Sequence, residues 1–302
     1  MNSKFLKKLS ILSTILISSS ALIGAFPKAD SNSYIFKKNK DVIILDSDLK
    51  TPLPNRFRDV TLLNISGSAQ FTKDQVEPLK KAINKENICI VDLRQESHGL
   101  LNDLAISYHN FYKLINNGFD SVETIEKENS ELNKIKTNSQ VNIFHENGKL
   151  YKCLEAESVC TEEKAITDCG MQYKRFAVRD GGVPTPDTVD EFVDFIKNKP
   201  DDLHLHFHCH AGEGRTTTFM VLYQIMNNQN NLTLDQILSY QYNIGGVVLT
   251  NDGYRLGFLD SFYEYIQENK DSNYATPYSQ WIVKDMIIKK ETENRLFFNY
   301  HI

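Results

Sequence analysis

The chain has 302 residues, 41% hydrophobic and 24% charged, with a formal net charge of −5. This balance suits one globular domain, or a domain with a small satellite, and excludes a fibrous or low-complexity chain. The negative charge argues against a nucleic-acid partner, whose phosphate backbone needs a basic surface.

In chain order, the first segment has the form of an export signal. Lys4, Lys7 and Lys8 precede an apolar stretch over residues 9–26, with Gly24 and Ala25 near a candidate cut. Residues 1–29 are therefore expected to be a cleaved signal peptide, which places the mature chain in the periplasm or the medium. Cleavage also removes Lys28 and leaves a net charge near −9. An uncleaved membrane anchor is the alternative. Six hydroxyl residues (Ser10, Ser13, Thr14, Ser18, Ser19 and Ser20) dilute the stretch, and no cysteine near the cut offers a lipid attachment point. No later segment is long and apolar enough to span, so no stable membrane anchor is expected after cleavage. Export permits disulfides, and one pair among Cys153, Cys160 and Cys169 is expected to be able to bridge, with the choice left open by spacing. Cys89, inside an apolar run, reads as a buried small hydrophobe.

Beyond the leader, residues 42–45 form a strand candidate and residues 51–55 a turn. Residues 88–93 read as a buried parallel strand. The acidic stretch 121–136 reads as a solvated helix or linker. Asn147-Gly148, between runs 141–146 and 149–154, is a strong hairpin signal. Residues about 34–60 and 139–155 are thus expected to build a small β satellite. The second half alternates a strand at 173–178, a helix at 188–197, a strand at 203–208 and helices at 216–226, 234–240 and 257–267. That alternation predicts an α/β fold with a largely parallel central sheet flanked by helices.

Between the strand at 203–208 and the following helix stands His208-Cys-His-Ala-Gly-Glu-Gly-Arg-Thr216. Each part has a physical use. Backbone N–H groups of His210, Ala211, Gly212, Glu213 and Gly214 can turn inward around a phosphate, and the glycines permit the tight path. The helix N-terminus adds to that field. Arg215 offers a planar fork to two phosphate oxygens. The electropositive nest favours the thiolate of Cys209, a competent nucleophile toward phosphorus, and Thr216 can hydrogen-bond its sulfur. The departing alkoxide needs a proton. Asp180, in Arg179-Asp-Gly-Gly-Val-Pro184, is a carboxylate on a glycine-hinged loop able to give one.

With Ile65-Ser-Gly-Ser-Ala-Gln70 and Val91-Asp-Leu-Arg-Gln-Glu-Ser-His-Gly99, these motifs resemble the protein-tyrosine-phosphatase-like inositol polyphosphatases, the cysteine phytases, over residues 60 to 285. The resemblance implies a phosphatase domain over residues 30–302 with a small β-barrel-like satellite. It also implies stepwise removal of phosphates from inositol hexakisphosphate and lower inositol polyphosphates through a phosphocysteine, without metal or other cofactor. Cys209, Asp180, Arg215 and Thr216 would carry the family roles. Asp92, Arg94, Glu96 and His98 would line the pocket rim, and Arg58 would be a further substrate contact. Two departures stand out. Gly181 replaces a histidine common after the acid, and Glu213 places a carboxylate beside an anion site, unfavourable unless it faces solvent or pairs with a cation.

Other readings compete. The alternating His204, His206 and His208 share a strand face and suggest zinc, but core histidines and loop scaffolding fit a strand covered on both faces better. A sulfurtransferase or arsenate reductase has no use for Asp180. A secreted tyrosine phosphatase fits the reduced basicity near Glu213, and a catalytically silent phosphate binder fits the altered acid loop. The cysteine phosphatase reading further predicts a mildly acidic, bell-shaped pH profile.

Overall fold

The computed structural model describes residues 41–110 and 115–299. The expected leader at 1–29, and residues 34–40 of the expected satellite, lie outside the described residues.

The described strands fall into two sheets. The central sheet holds β2 (Arg58–Val60), β3 (Ile65–Ser68), β4 (Ile88–Arg94), β10 (Gln172–Val178) and β11 (His204–His208), in the order β10-β4-β11-β3-β2. All its pairings are parallel except β2 with β3. All seven residues of β4 are buried, as a strand covered on both faces requires. Its alternate side chains separate two cores. Ile88 and Ile90 pack with Phe71, Leu79 and Ile166 beneath α1 (Val76–Ile83) and α3 (Glu162–Asp168). Val91 and Leu93 join Phe176, Phe192, Phe207 and Phe219 beneath α4 (Pro186–Asn198), α5 (Gly214–Met226), α6 (Leu234–Asn243), α7 (Gly253–Asn269) and α8 (Tyr278–Asn299). Burying a ring such as Phe219 contributes about 2 to 3 kcal/mol.

Helix α4 buries the stripe Val189, Phe192, Val193 and Ile196 that its periodicity predicts. It starts two residues before the expected start at 188, because Thr185 caps it by accepting from Thr188 N and Pro186 fills the first turn. Helix α5 is enclosed, with every residue from Arg215 to Ile225 buried. Its approach to β3 demands a glycine, since a Cβ on Gly67 would lie 2.7 Å from Met220 Sδ and 2.9 Å from Thr216 Cγ2.

The second sheet runs β8-β7-β1-β6-β5-β9, from β1 (Val42–Ser47), β5 (His98–Leu101), β6 (Leu104–His109), β7 (Gln140–Phe144), β8 (Leu150–Glu155) and β9 (Val159–Cys160). Ile44, Leu101, Ile106 and Ile143 are fully buried against it, and its strand order is open, with β8 and β9 at the edges. The turn between β7 and β8 carries Gly148 at φ 79, the left-handed conformation that glycine supplies. The expected satellite differs in two respects. Residues 58–60 pair into the central sheet as β2, and the β5–β6 hairpin extends the outer one. That hairpin lacks a glycine turn. Asn102 takes the left-handed conformation, and its side chain accepts from Glu157 N and Ser158 N, so a distant segment fixes the turn.

Helix α2 (Ser121–Leu132) starts at a capping box of Asp120 and Glu123. It corrects the expectation of a solvated stretch, for Thr124, Glu128, Glu131 and Leu132 are buried, and Glu128 pairs with Arg175 at 2.8 Å. No disulfide forms among Cys153, Cys160 and Cys169, all free thiols spread over β8, β9 and the end of α3. Burial pushes the Cys89 thiol up to about 12, in keeping with an inert hydrophobe. Among the described residues, no helix is long and apolar enough to cross a membrane.

Candidate active site

Strand β11 ends at His208 and α5 begins at Gly214, so the loop between them sits at the carboxyl edge of the sheet. Cys209 lies at its base, 3% exposed, and Thr216 Oγ1 donates to its Sγ at 3.1 Å. Gly212 takes φ +70, and a Cβ there would fall 2.6 Å from the Ser68 carbonyl carbon. Only glycine fits where the loop presses on the end of β3. Gln70 N donates to His210 O at 3.0 Å, fixing the loop from the other side.

Arg58 does not reach the pocket as expected. Its side chain is buried beneath the loop, donating to Gly212 O at 3.1 Å, Arg56 O at 3.1 Å and Thr217 Oγ1 at 3.3 Å. Burial pulls it down to about 10, offset in part by the Cys209 charge. Arg58 therefore braces the loop, and Arg56 holds the rim. Arg56 Nη2 pairs with Glu213 at 2.8 Å, both side chains partly exposed, so the unfavourable carboxylate of the loop is compensated. His210 Nε2 lies 3.6 Å from Asp46 and its Nδ1 3.8 Å from Glu146, on a cavity of about 400 Å³ also lined by Arg56, Ala211 and Glu213.

Arg215 is gripped before any phosphate arrives. It donates to both Glu96 oxygens, at 2.7 and 2.9 Å, to Val178 O at 3.0 Å and to Asp180 Oδ1 at 3.1 Å. Burial opposes both charges, yet Arg215 and Arg94 hold the Glu96 carboxyl well below its usual range. Glu96 thus aims the fork, while Asp180 itself remains 58% exposed. Gly181 stands at φ +71, a conformation in which a side chain would be strained, with open space around it.

Asp92, Arg94 and His98 depart from the expected rim. They are 0%, 0% and 1% exposed and lie in a polar network beneath the site. The strand end is roofed by the second sheet and α2, which closes off positions that an open sheet would present. Asp92 accepts from Tyr173 and pairs with Arg175 at 3.2 Å. Arg94 pairs with Asp46 at 2.8 Å and Glu96 at 2.9 Å. His98 lies 3.3 Å from Glu128 and 3.4 Å from Asp92.

Of the strand histidines, His204 and His206 hydrogen-bond Ser66 at 2.7 and 2.8 Å, and His206 also Ser68 at 2.9 Å. His208 faces Glu162 at 2.7 Å. Asp92, Glu162 and His208 bring ligand-type atoms within 4.8 Å of one another. Arg175, Tyr173 and Gln70 already contact those carboxylates, which makes the cluster an internally balanced network.

Arg255, which the motif reading passed over, closes the far side. It donates to Thr218 Oγ1 at 2.8 Å and to Gly181 O at 3.1 Å, tying α5 to the acid loop. Nothing in the sequence signalled it, because the expected helix at 257–267 begins beyond Arg255 and only the structure places it in the first turn.

The PTP-like phytase family model, described as inositol hexakisphosphate, matches residues 91–227. The PTP-like myo-inositol phosphatase from Mitsuokella multacida, solved with myo-inositol-(1,3,4,5)-tetrakisphosphate, is 28% identical with a TM-score of 0.73, over 93% of this chain and 54% of that one. A PTP-like phytase from Bdellovibrio bacteriovorus is 27% identical with a TM-score of 0.70, over 81% of this chain and 95% of that one. Effector protein hopD2 of Pseudomonas syringae pv. tomato is 27% identical over 256 residues, 78% of this chain and 54% of its own length. The chain thus spans about half the length of the Mitsuokella and Pseudomonas relatives. The chain is similar to the PTP-like phytases, in sequence over residues 91–227 and in fold over most of its length.

Proposed function

We propose that this chain is a phosphoric monoester hydrolase acting on inositol phosphates through a phosphocysteine intermediate. The observation that carries the reading is the convergence at one loop of Cys209, the Thr216 hydroxyl on its sulfur, and Arg215 touching Asp180. The tetrakisphosphate held by the Mitsuokella relative supports the substrate class.

In the first step the Cys209 thiolate attacks phosphorus while the loop N–H groups and Arg215 hold the equatorial oxygens. The ester P–O bond breaks, and Asp180 gives its proton to the leaving ring oxygen. In the second step water attacks the phosphocysteine and returns a proton to Asp180. The S–P bond then breaks, inorganic phosphate leaves, and the Thr216 hydroxyl stabilises the released thiolate. Cys209 must be ionised while Asp180 is protonated, which supports a bell-shaped profile with a mildly acidic optimum; a rate rising steadily into alkali would overturn it. Export is supported by the charged start and apolar stretch of residues 1–29. Mass spectrometry of protein recovered from periplasm or medium tests it, and an intact leader would refute cleavage.

The deciding measurement is phosphate release from inositol phosphates and from a phosphotyrosine peptide, with chelator and reductant present and Cys209→Ser as the blank. Release from the inositol substrates is expected, lost in the blank and reduced about 100- to 10,000-fold in Asp180→Asn. Release from the peptide alone would make the chain a tyrosine phosphatase, and none from either a phosphate binder.

A further inference from the structure

The basic side chains around the phosphate loop are largely occupied by carboxylates. At the mouth, Arg56 is bound by Glu213 at 2.8 Å. His210 stands between Asp46 and Glu146. Arg255 is held at 3.6 Å by Asp252, and Arg215 by Glu96 and Asp180. A substrate bearing a phosphate on every ring carbon would bring several dianions against Glu213 and Glu146, with their nearby cations already paired. Like charges so placed reduce binding and select against that ligand.

Among the described arginines, Arg58 and Arg179 have no carboxylate partner, and Arg58 is buried beneath the loop, which leaves Arg179 at the surface. It directly precedes Asp180, is exposed, and makes no ion pair among the described residues. It stands at the edge of a small hollow of about 20 Å³ lined by Glu96, Tyr108 and Asp180, so a phosphate would meet it from the solvent side. Among the described residues, the nest and the exposed Arg179 guanidinium offer places for two phosphates. The Glu213 and Glu146 side offers acceptors suited to hydroxyl donors.

Resting on the phosphatase reading above, we propose that the preferred substrates are sparsely phosphorylated inositols. One phosphate enters the Cys209 nest, a second meets Arg179, and free ring hydroxyls face Glu213 and Glu146. The sequence of reactions is then one in which an upstream phosphatase strips the fully phosphorylated ring and this chain consumes the products.

The test compares kcat/KM for inositol hexakisphosphate, an inositol bisphosphate and an inositol monophosphate, with a phosphotyrosine peptide alongside. The bisphosphate is expected to exceed the hexakisphosphate by about tenfold or more. Glu213→Gln frees Arg56 and should raise the hexakisphosphate-to-bisphosphate ratio about 3- to 10-fold. Arg179→Ala should lower the bisphosphate-to-monophosphate ratio by a similar factor, about 3- to 10-fold. A purely structural role for either residue would leave these ratios unmoved, and unmoved ratios would overturn the assignment. A hexakisphosphate rate equal to or above the others would overturn the preference while leaving the phosphatase reading in place. Release from the peptide alone would remove both.

Discussion

On the proposed phosphatase reading, Arg255 would serve the chemistry without touching a reacting atom. As the third residue of α7 it meets the positive end of the helix, an arrangement that costs about 0.3 to 1 kcal/mol. Burial also disfavours its charge, which Asp252 partly restores. The guanidinium bridges Thr218 on α5 and the Gly181 carbonyl beside the acid, and so holds Asp180 near Arg215. It is a positioning residue, and its loss should matter most when the leaving group needs a proton. Arg255→Ala is expected to slow release from an inositol phosphate about 10- to 100-fold, but release from an aryl phosphate with a weakly basic leaving group less than about threefold. Equal losses with both substrates would reduce Arg255 to a folding role. The meeting of Cys209, Arg215, Thr216 and Asp180 at one loop was expected from the sequence because each lies in a short motif, and the structure brings them together. The roles of Arg56, Arg255 and Glu128 were not expected, because their partners lie 157, 37 and 47 positions away and only the fold joins them.

At the scale of elements, β11 alternates histidine with apolar residues, and its His204, His206 and His208 all turn to one buried face. That strand was readable from its periodicity. The β5–β6 hairpin was not, since its turn depends on Asn102 being bonded by a remote segment. Burying imidazoles ties the sheet to pH. Burial pulls His204 down to about 4, with Ser66 and Asn64 as its hydrogen-bond partners, whereas an unfolded histidine titrates near 6.5. The folded state therefore binds fewer protons than the unfolded one over that interval. The contribution is full above about pH 6.5 and is lost as pH falls toward 4, by about 3 kcal/mol in all. His98, raised because Asp92 and Glu128 outweigh the burial that disfavours its charge, acts in the opposite sense, so the wild-type curve alone does not isolate the strand. The difference from His204→Gln does. Between pH 7 and pH 4.5 the wild type should lose about 2 to 3 kcal/mol more urea-unfolding stability than the variant; parallel losses would mean that His204 is not held neutral.

Across the whole molecule, the second sheet is joined to the loop that carries Cys209 and Arg215 by charge as well as by packing. Asp46 on β1 accepts from Ser107 at 2.7 Å and from Arg94 at 2.8 Å. Arg94, at the end of β4, donates to Glu96 at 2.9 Å, and Glu96 grips Arg215. Burial opposes the Asp46 charge, but Arg94 and His210 hold its carboxyl below the usual range. The segment Asp92 to His98 was read as a ligand rim from its place after a strand; with the outer sheet above it, part of it becomes this relay. Replacing buried ion pairs with apolar groups is often neutral, but removing one partner strands the other, at about 3 to 5 kcal/mol. Asp46→Asn keeps the shape and removes the charge, so it should lower the stability of the fold by about that amount. It should also weaken inhibition by inorganic phosphate, measured well below the unfolding temperature, because Arg94 will compete with Arg215 for Glu96. If the outer sheet served only as packing, the variant would lose stability while its phosphate inhibition constant stayed at the wild-type value. A shift in that constant in a fully folded variant is what distinguishes a relay from a support.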